Sequence, residues 1–244
     1  MTLEALVFDV DGTLADTERD GHRVAFNAAF AEAGLDWHWD EPLYSKLLSV
    51  AGGVERMVYY ARQRGWAAPD GEMLARLKSI HRAKTAHYVR HVASGGIALR
   101  PGIARLLGEA RAAGLRLAIA TTTTRENVHA LLEATLGASS IGWFASIGTA
   151  AEVPLKKPDP AVYQWVLTEL GLPATRAIAF EDTRNGLLAA TGAGLRCIVT
   201  PTSCSIEEDF TGAATTLVDL DHHPTRTGDV VTLDDVRGWA VAPD

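Results

Sequence analysis

The chain has only two cysteines, Cys197 and Cys204, too few for a disulfide framework or a thiolate metal site. It has no apolar run longer than a strand, and its first residues lack a basic stretch followed by a long apolar one. Neither a signal peptide nor a membrane span is expected. Positive excess is missing as well: 23 Lys and Arg stand against 30 Asp and Glu, a net charge of -7, with no basic block. That balance argues against nucleic acid or an anionic membrane as partner, while leaving room for a local basic pocket. Internal repeats and low-complexity tracts are absent too. An apolar fraction of 47% and a charged fraction of 22% over 244 residues are ordinary for a soluble globular protein. The expectation is a cytoplasmic chain, large enough for one big domain or a domain with an insertion.

Short apolar runs and helix-period runs alternate along most of the sequence, which predicts a parallel sheet flanked by helices. Ala5 to Asp9 reads as the first strand. Pro101-Gly102 opens a helix with Ile103, Leu106, Leu107 and Ala110 on one face, stopped by Gly114. Leu115 to Ala120 reads as a buried strand running into four threonines, Thr121 to Thr124. Val128, Leu131, Leu132 and Thr135 mark the next helix. Phe144 to Ile147, Ile178 to Phe180, Cys197 to Val199 and Thr216 to Val218 complete the strands, with helices near Ala161 to Leu170 and Asn185 to Thr191. His222 and His223 are expected in a solvated surface tail rather than in a metal site.

Residues 17–93 break this rhythm. No β-rich run stands out there, and helical spacing recurs three times. It links Val24, Phe26, Ala29, Phe30 and Ala33, then Leu47, Leu48, Val54, Met57, Val58 and Ala61, then Met73, Leu74, Leu77 and Ile80. The expectation is an α/β chain with a parallel-sheet core, residues 1–16 and 94–244, and an all-helical domain, residues 17–93, inserted after the first strand. Ala15 to Thr17 and Ser94-Gly95-Gly96 are the outgoing and return hinges.

In an open α/β sheet, ligands bind beyond the carboxyl ends of the strands. Four polar clusters fall there: Asp9 with Asp11, Thr121, Lys157, and Glu181 with Asp182. Two carboxylates so placed are costly to ionise without a cation between them. One can attack an electrophile while the other handles a proton, the layout of phosphoryl transfer through an aspartate nucleophile. Asp9 is the candidate nucleophile, and Asp11 the group that protonates the leaving alcohol and later activates water. Thr121, with backbone N–H groups at a helix start, donates to the phosphate, and Thr122 beside it joins the substrate contacts. Lys157 supplies fixed positive charge, and Asp182 completes an oxygen-only site suited to Mg²⁺. Hydrolysis of a phosphate monoester needs acceleration by up to ~10²¹. An acid–base pair alone yields about 10²–10⁴, so the clusters have to act together.

In this order, Asp9-Val10-Asp11-Gly12-Thr13, Thr121, Lys157-Pro158 and Glu181-Asp182 resemble the motifs of the haloacid-dehalogenase superfamily of phosphatases, over essentially the whole chain. The resemblance implies a Rossmann-like core with a helical cap inserted after the first strand. It also implies Mg²⁺ held by Asp9, the Asp11 backbone carbonyl and Asp182. Asp16 to Arg23, Ala51 to Arg56 and His81 to Thr85 more narrowly resemble a subgroup encoded beside carbon-fixation genes in autotrophs. That subgroup dephosphorylates xylulose-1,5-bisphosphate, a misfire product that inhibits Rubisco, which implies a repair phosphatase serving the Calvin cycle. Val54 departs from the pattern, where a lysine is expected after the double glycine. His22 lies four residues after Glu18 rather than the three usual in neighbouring subgroups.

Each residue has a plainer reading beside the functional one. Asp9-x-Asp11-Gly12 would open a calcium loop, but the later acidic positions are absent and a strand precedes it. Thr121 alone would be a helix cap, Asp182 the N-cap of the helix at Asn185, and one of Lys156 and Lys157 a solvated charge. Glu181 either ligates the metal or supports it from behind. In the inserted helices Glu18, His22, Gly52, Gly53, Arg56 and Arg82 are candidate substrate contacts, with His81 and Lys84 beside them. Against that stands the ordinary solvation of helix charges. A bisphosphate needs a second cationic cluster, for which Arg56 and Arg82 are the first candidates. Trp37, Trp39 and Trp66 read as packing. The rivals to a sugar-phosphate phosphatase are a phosphomutase using the same aspartyl-phosphate and a phosphosugar-binding regulator without turnover. Dehalogenation leaves Asp11 without a use, and no Schiff-base lysine is evident for a phosphonatase. Nothing demands more than a monomer.

Overall fold

Four consecutive apolar residues form β1 (Ala5–Phe8). In the computed structural model, which describes residues 2–50, 52–67 and 70–241, this strand is buried on both faces, as a central parallel strand must be. The chain then builds one of its two compact units, Thr17–Ile97. A π-helical turn (Glu18–His22) runs into α1 (Arg23–Glu32), followed by α2 (Glu41–Leu47), α3 (Gly53–Gln63) and α4 (Gly71–Ala93). Asp40 and Asp70 cap α2 and α4 by accepting from the backbone N–H of Leu43 and Met73. The unit is held by an aromatic core in which Phe26, Phe30, Trp37, Trp39, Tyr44 and Tyr60 interlock with Met57, Leu77 and Ile80. Trp66 packs on Trp37, whose ring is itself buried, so all three tryptophans are packing residues. Val24, expected on the inner face of α1, is 38% exposed. It lies two positions from the buried Phe26 and so on the opposite side of the helix.

The other unit comprises Met1–Asp16 and Ala98–Asp244. After α5 (Ile103–Ala112) come β2 (Arg116–Ala120), α6 (Arg125–Leu136), β3 (Phe144–Gly148), α7 (Ala161–Leu170) and β4 (Ala177–Glu181). Then follow α8 (Arg184–Gly192), β5 (Arg196–Val199), β6 (Thr215–Thr216) and α9 (Leu233–Ala240). The strands form one parallel sheet in the order β3-β2-β1-β4-β5-β6. This is the Rossmann-like arrangement, with its topological switch point between β1 and β4. Ile103, Leu106, Leu107 and Ala110 are the buried face of α5, as their spacing predicts.

Two expectations near the carboxyl terminus need correction. The last strand stops at Thr216; Leu217 N still donates to Val199 O, but Val218 is 76% exposed. His223 is not in a solvated tail. Its ring stacks on Trp239, and its Nε2 lies 3.5 Å from Asp235. The segment is ordered by α9, whose Thr232 and Asp235 form a reciprocal capping box. His222 does remain exposed, paired with Asp219.

Candidate active site

The sheet register sets the site. Phe8 lies opposite both Ile119 of β2 and Phe180 of β4. Asp9, whose N–H donates to Phe180 O, therefore emerges at the switch point, flanked by the ends of β2 and β4. The chain then turns sharply: Gly12 N donates to Ala15 O and Leu14 N to Val10 O. Gly12 has φ +88°, and a Cβ there would stand 2.0 Å from Asp182 Oδ2. Backbone conformation and close approach both demand glycine. Thr13 Oγ1 donates to Asp182 Oδ1 at 3.4 Å.

Lys157 is the centre of a buried network. Its three ammonium hydrogens go to Asp9 Oδ1 (2.6 Å), Glu181 Oε1 (2.6 Å) and Ala120 O (2.8 Å). The Tyr163 hydroxyl donates to the same Glu181 oxygen at 2.6 Å. Lys157, rather than its neighbour Lys156, is thus the lysine brought to Asp9. Carboxylate oxygens of Asp9, Glu181 and Asp182 lie within 4.8 Å of one another. Burial pushes the Asp9 carboxyl up, Lys157 opposes it, and Glu181 and Asp11 push further, to a pKa of about 8. Asp182 is raised well above the carboxylate range by burial, then by Asp9 and Glu181. The Lys157 ammonium is depressed by burial but raised overall by Asp9 and Glu181. One lysine does not balance three buried acids. An oxygen-only cluster with surplus negative charge suits a hard divalent cation. Asp11 is half-buried, and its carboxylate is outside this trio.

Two of the plainer readings fail on the geometry. Thr183 caps α8, accepting from Gly186 N at 3.1 Å, so the Asp182 carboxylate is not spent on the helix. Thr124 caps α6, while Thr121 is buried at the end of β2, its Oγ1 accepting from Thr123 N at 3.3 Å. Thr122 is exposed.

In the helical unit the predicted residues form two small groups. Tyr44 donates its hydroxyl to Glu18 Oε2 (2.6 Å) and accepts from Arg56 Nη1 (3.0 Å), while Arg56 Nε donates to Leu47 O. Lys84 donates to His22 Nδ1 (2.8 Å) and lies over the rings of Phe26 and Tyr88. A lysine ammonium only donates, so the His22 ring proton sits on Nε2. A Cβ on Gly53 would meet His81 Nε2 at 2.4 Å, and Gly52 has φ +96°. Arg56 is buried and Arg82 exposed, so the two stand in different surroundings. Ala51 lies outside the described residues.

Sequence reasoning overlooked Tyr44, Arg100, Glu152, Tyr163 and Gly186. Tyr163 sits on the apolar face of α7 with Val162, Val166 and Leu170, and a hydroxyl on such a face is the signal that was available. Gly186 carried no signal: a Cβ there would stand 1.8 Å from Glu181 Oε2. Glu152 accepts from Thr149 N and Oγ1 and from Arg125 (2.6 Å), tying down the segment between β3 and Lys157. Arg100 anchors the loop after β1 to those after β5 and β6.

Residues 3–194 match the family model for haloacid dehalogenase-like hydrolases. The chain is 53% identical over 219 residues to the plasmid-borne protein CbbY of Cupriavidus necator, covering 89% of this chain and 86% of that protein. It is similar to the crystal structure of CbbY from Rhodobacter sphaeroides in complex with phosphate. That match has a TM-score of 0.82 and 49% identity over 89% of this chain and 95% of the other. A variant of the same protein, with aspartate changed to asparagine, was crystallised with xylulose-(1,5)bisphosphate. It matches with a TM-score of 0.82 and 47% identity over the same shares.

Proposed function

The chain belongs to the haloacid dehalogenase-like hydrolases, and from that premise we propose that it is a Mg²⁺-dependent phosphatase whose substrate is xylulose-1,5-bisphosphate. Its role is removal of that Rubisco inhibitor in the cytoplasm. The observation that carries the reading is the buried Asp9 carboxylate, held at 2.6 Å by Lys157 and sharing its crevice with Asp182. A carboxylate fixed at a strand end, beside a permanent positive charge, is a nucleophile aimed at a phosphoryl group. An Asp9 oxygen attacks phosphorus, the bond from phosphorus to the sugar oxygen breaks, and Asp11 protonates that oxygen. Asp11 then takes a proton from water, whose oxygen attacks the aspartyl-phosphate, releasing inorganic phosphate and restoring Asp9. Lys157 keeps its hydrogens on Asp9, Glu181 and Ala120 and sets a positive charge beside the phosphoryl group, while the Thr121 hydroxyl is free to donate to a phosphoryl oxygen.

Asp9, Asp182 and the Asp11 carbonyl are the groups that would hold Mg²⁺, which supplies charge neutralisation to the phosphoryl group. The kinship with proteins crystallised with phosphate and with xylulose-(1,5)bisphosphate supports the substrate. Glu18, His22, Gly52, Gly53, Arg56 and Arg82 are assigned to recognition of its sugar and second phosphate. The test is kcat/KM for phosphate release with Mg²⁺ on xylulose-1,5-bisphosphate, ribulose-1,5-bisphosphate, hexose phosphates and phosphoglycolate, with Asp9→Asn as the blank. Preference for the xylulose ester, abolished in the blank, is the expected result. A flat profile rejects the substrate, and no release from any ester rejects the phosphatase.

A further inference from the structure

Arg100 stands at the start of the Pro101-Gly102 turn that opens α5, outside every motif of the phosphoryl-transfer site. Its guanidinium nonetheless reaches the carbonyls of four residues. Nη1 donates to Gly12 O (2.5 Å), to Thr200 O and to Thr200 Oγ1 (3.2 Å). Nη2 donates to Pro201 O (3.0 Å) and Val218 O (3.1 Å). Its own backbone N–H donates to Leu14 O at 2.8 Å. One side chain thus ties the loop after β1 to the loops after β5 and β6, all at the carboxyl edge of the sheet. Thr200 N donates in turn to Glu181 O, so the network closes on the acidic strand end.

The Gly12 carbonyl belongs to the peptide joining Gly12 to Thr13, directly after Asp11, and Gly12 itself packs against the Asp182 carboxylate. Fixing that oxygen fixes the segment that carries Asp9 and Asp11. Burial lowers the proton affinity of the guanidinium, and Asp182, Asp16 and Asp219 offset only part of that effect. The cation also offsets part of the surplus negative charge. Only a planar fork donates along these separate directions; an ammonium presents a single point.

We propose that Arg100 is a positioning residue for the transfer reaction, acting through the Gly12 carbonyl on the geometry of Asp9 and Asp11. This rests on the phosphatase reading above. The test combines hydrogen–deuterium exchange of the peptide spanning residues 9–15 with steady-state kinetics on a phosphate ester. The variants are Arg100→Ala and Arg100→Lys, with Arg176→Ala as control, since Arg176 pairs with Glu4 at the opposite end of β4. In Arg100→Ala, exchange in 9–15 should quicken and kcat should fall about 10²-fold, with KM little changed. Millimolar guanidinium should restore part of kcat in Arg100→Ala and none in Arg100→Lys. If Arg100→Ala fails to fold, Arg100→Lys carries the same two readouts.

Exchange in 9–15 that matches wild type and the Arg176 control overturns the clamp. Faster exchange with kcat retained overturns its role in the reaction. If the wild type turns over no phosphate ester, the phosphatase reading and the catalytic role of Arg100 fall together, while the exchange data still decide whether the clamp exists.

Discussion

Stripping divalent cations from this protein should make its stability fall as pH rises, and Mg²⁺ should cancel the fall. Burial, reinforced by Glu181 and Asp11 against the pull of Lys157, moves the Asp9 carboxyl from 3.8 to about 8, and Asp182 moves the same way. An acid whose pKa is raised by folding stabilises the fold fully below its unfolded pKa, and that stability is lost as pH climbs through the folded value. At ~1.4 kcal/mol per pH unit, Asp9 alone is worth ~3 kcal/mol between about pH 5.5 and 8. Acids lowered by folding, Glu152 to about 2 and Asp235, Asp20 and Asp209 below their ordinary range, titrate beneath this window and leave it clear.

The trio within 4.8 Å repels by about 3 kcal/mol per ionised pair at an effective dielectric of about 20. A cation at ~100 times its Kd adds ~2.7 kcal/mol. For a chain of 244 residues that is about 5–11 °C. Scanning calorimetry in EDTA and in excess Mg²⁺, at about pH 5.5 and pH 8.5, reads both effects. The Mg²⁺ shift should be large at the higher pH, small at the lower, and lost in Asp182→Asn. A transition temperature that climbs with pH in EDTA, or a Mg²⁺ shift unchanged in Asp182→Asn, refutes the reasoning.

Replacing Lys157 by Met removes the donor shared by Asp9, Glu181 and Ala120; phosphate release should drop about 10²–10³-fold, measured as kcat on protein shown to be folded by circular dichroism. Glu152→Gln should cost ~1–2 kcal/mol in urea unfolding at neutral pH, because hydrogen bonds from Thr149 and Arg125 overcome burial and hold that carboxyl near 2. A group depressed by folding stabilises above its unfolded pKa, so the gap between variant and wild type should close as pH falls from about 4.5 towards 2. Gly186→Ala drives a methyl to 1.8 Å from Glu181 Oε2. Glu181 is pinned by Lys157 and Tyr163, so overpacking should cost about 1–3 kcal/mol, with turnover reduced too; a variant as stable and active as wild type would show that Glu181 has room to move.

Much of this protein was legible along the chain, because the information is local. The apolar runs of β1, β2 and β4 announce strands buried on both faces, and the period of Ile103, Leu106, Leu107 and Ala110 announces one helix face. Asp9, Thr121, Lys157 and Asp182 stand at or beyond strand ends, and a parallel sheet gathers all its carboxyl ends on one edge. What the chain alone did not show depends on which distant segments meet. That Lys157 spends its hydrogens on Asp9, Glu181 and Ala120, and that Tyr163 joins Glu181, follows from the packing of α7 over β2 and β3. That Gly12 must lack a side chain follows from the Asp182 carboxylate, which reaches it from the far half of the sequence, and that Gly186 must lack one follows from the turn that folds Glu181 back over α8. Arg100 reads in sequence as one more charge before a helix; only the sheet order, with the turns after β1, β5 and β6 on the same edge, brings four carbonyls within reach of it. Periodicity determines which residues are buried and where chemistry emerges. Packing alone decides which polar groups satisfy one another, since hydrogen bonds are directional and their partners lie far apart along the chain.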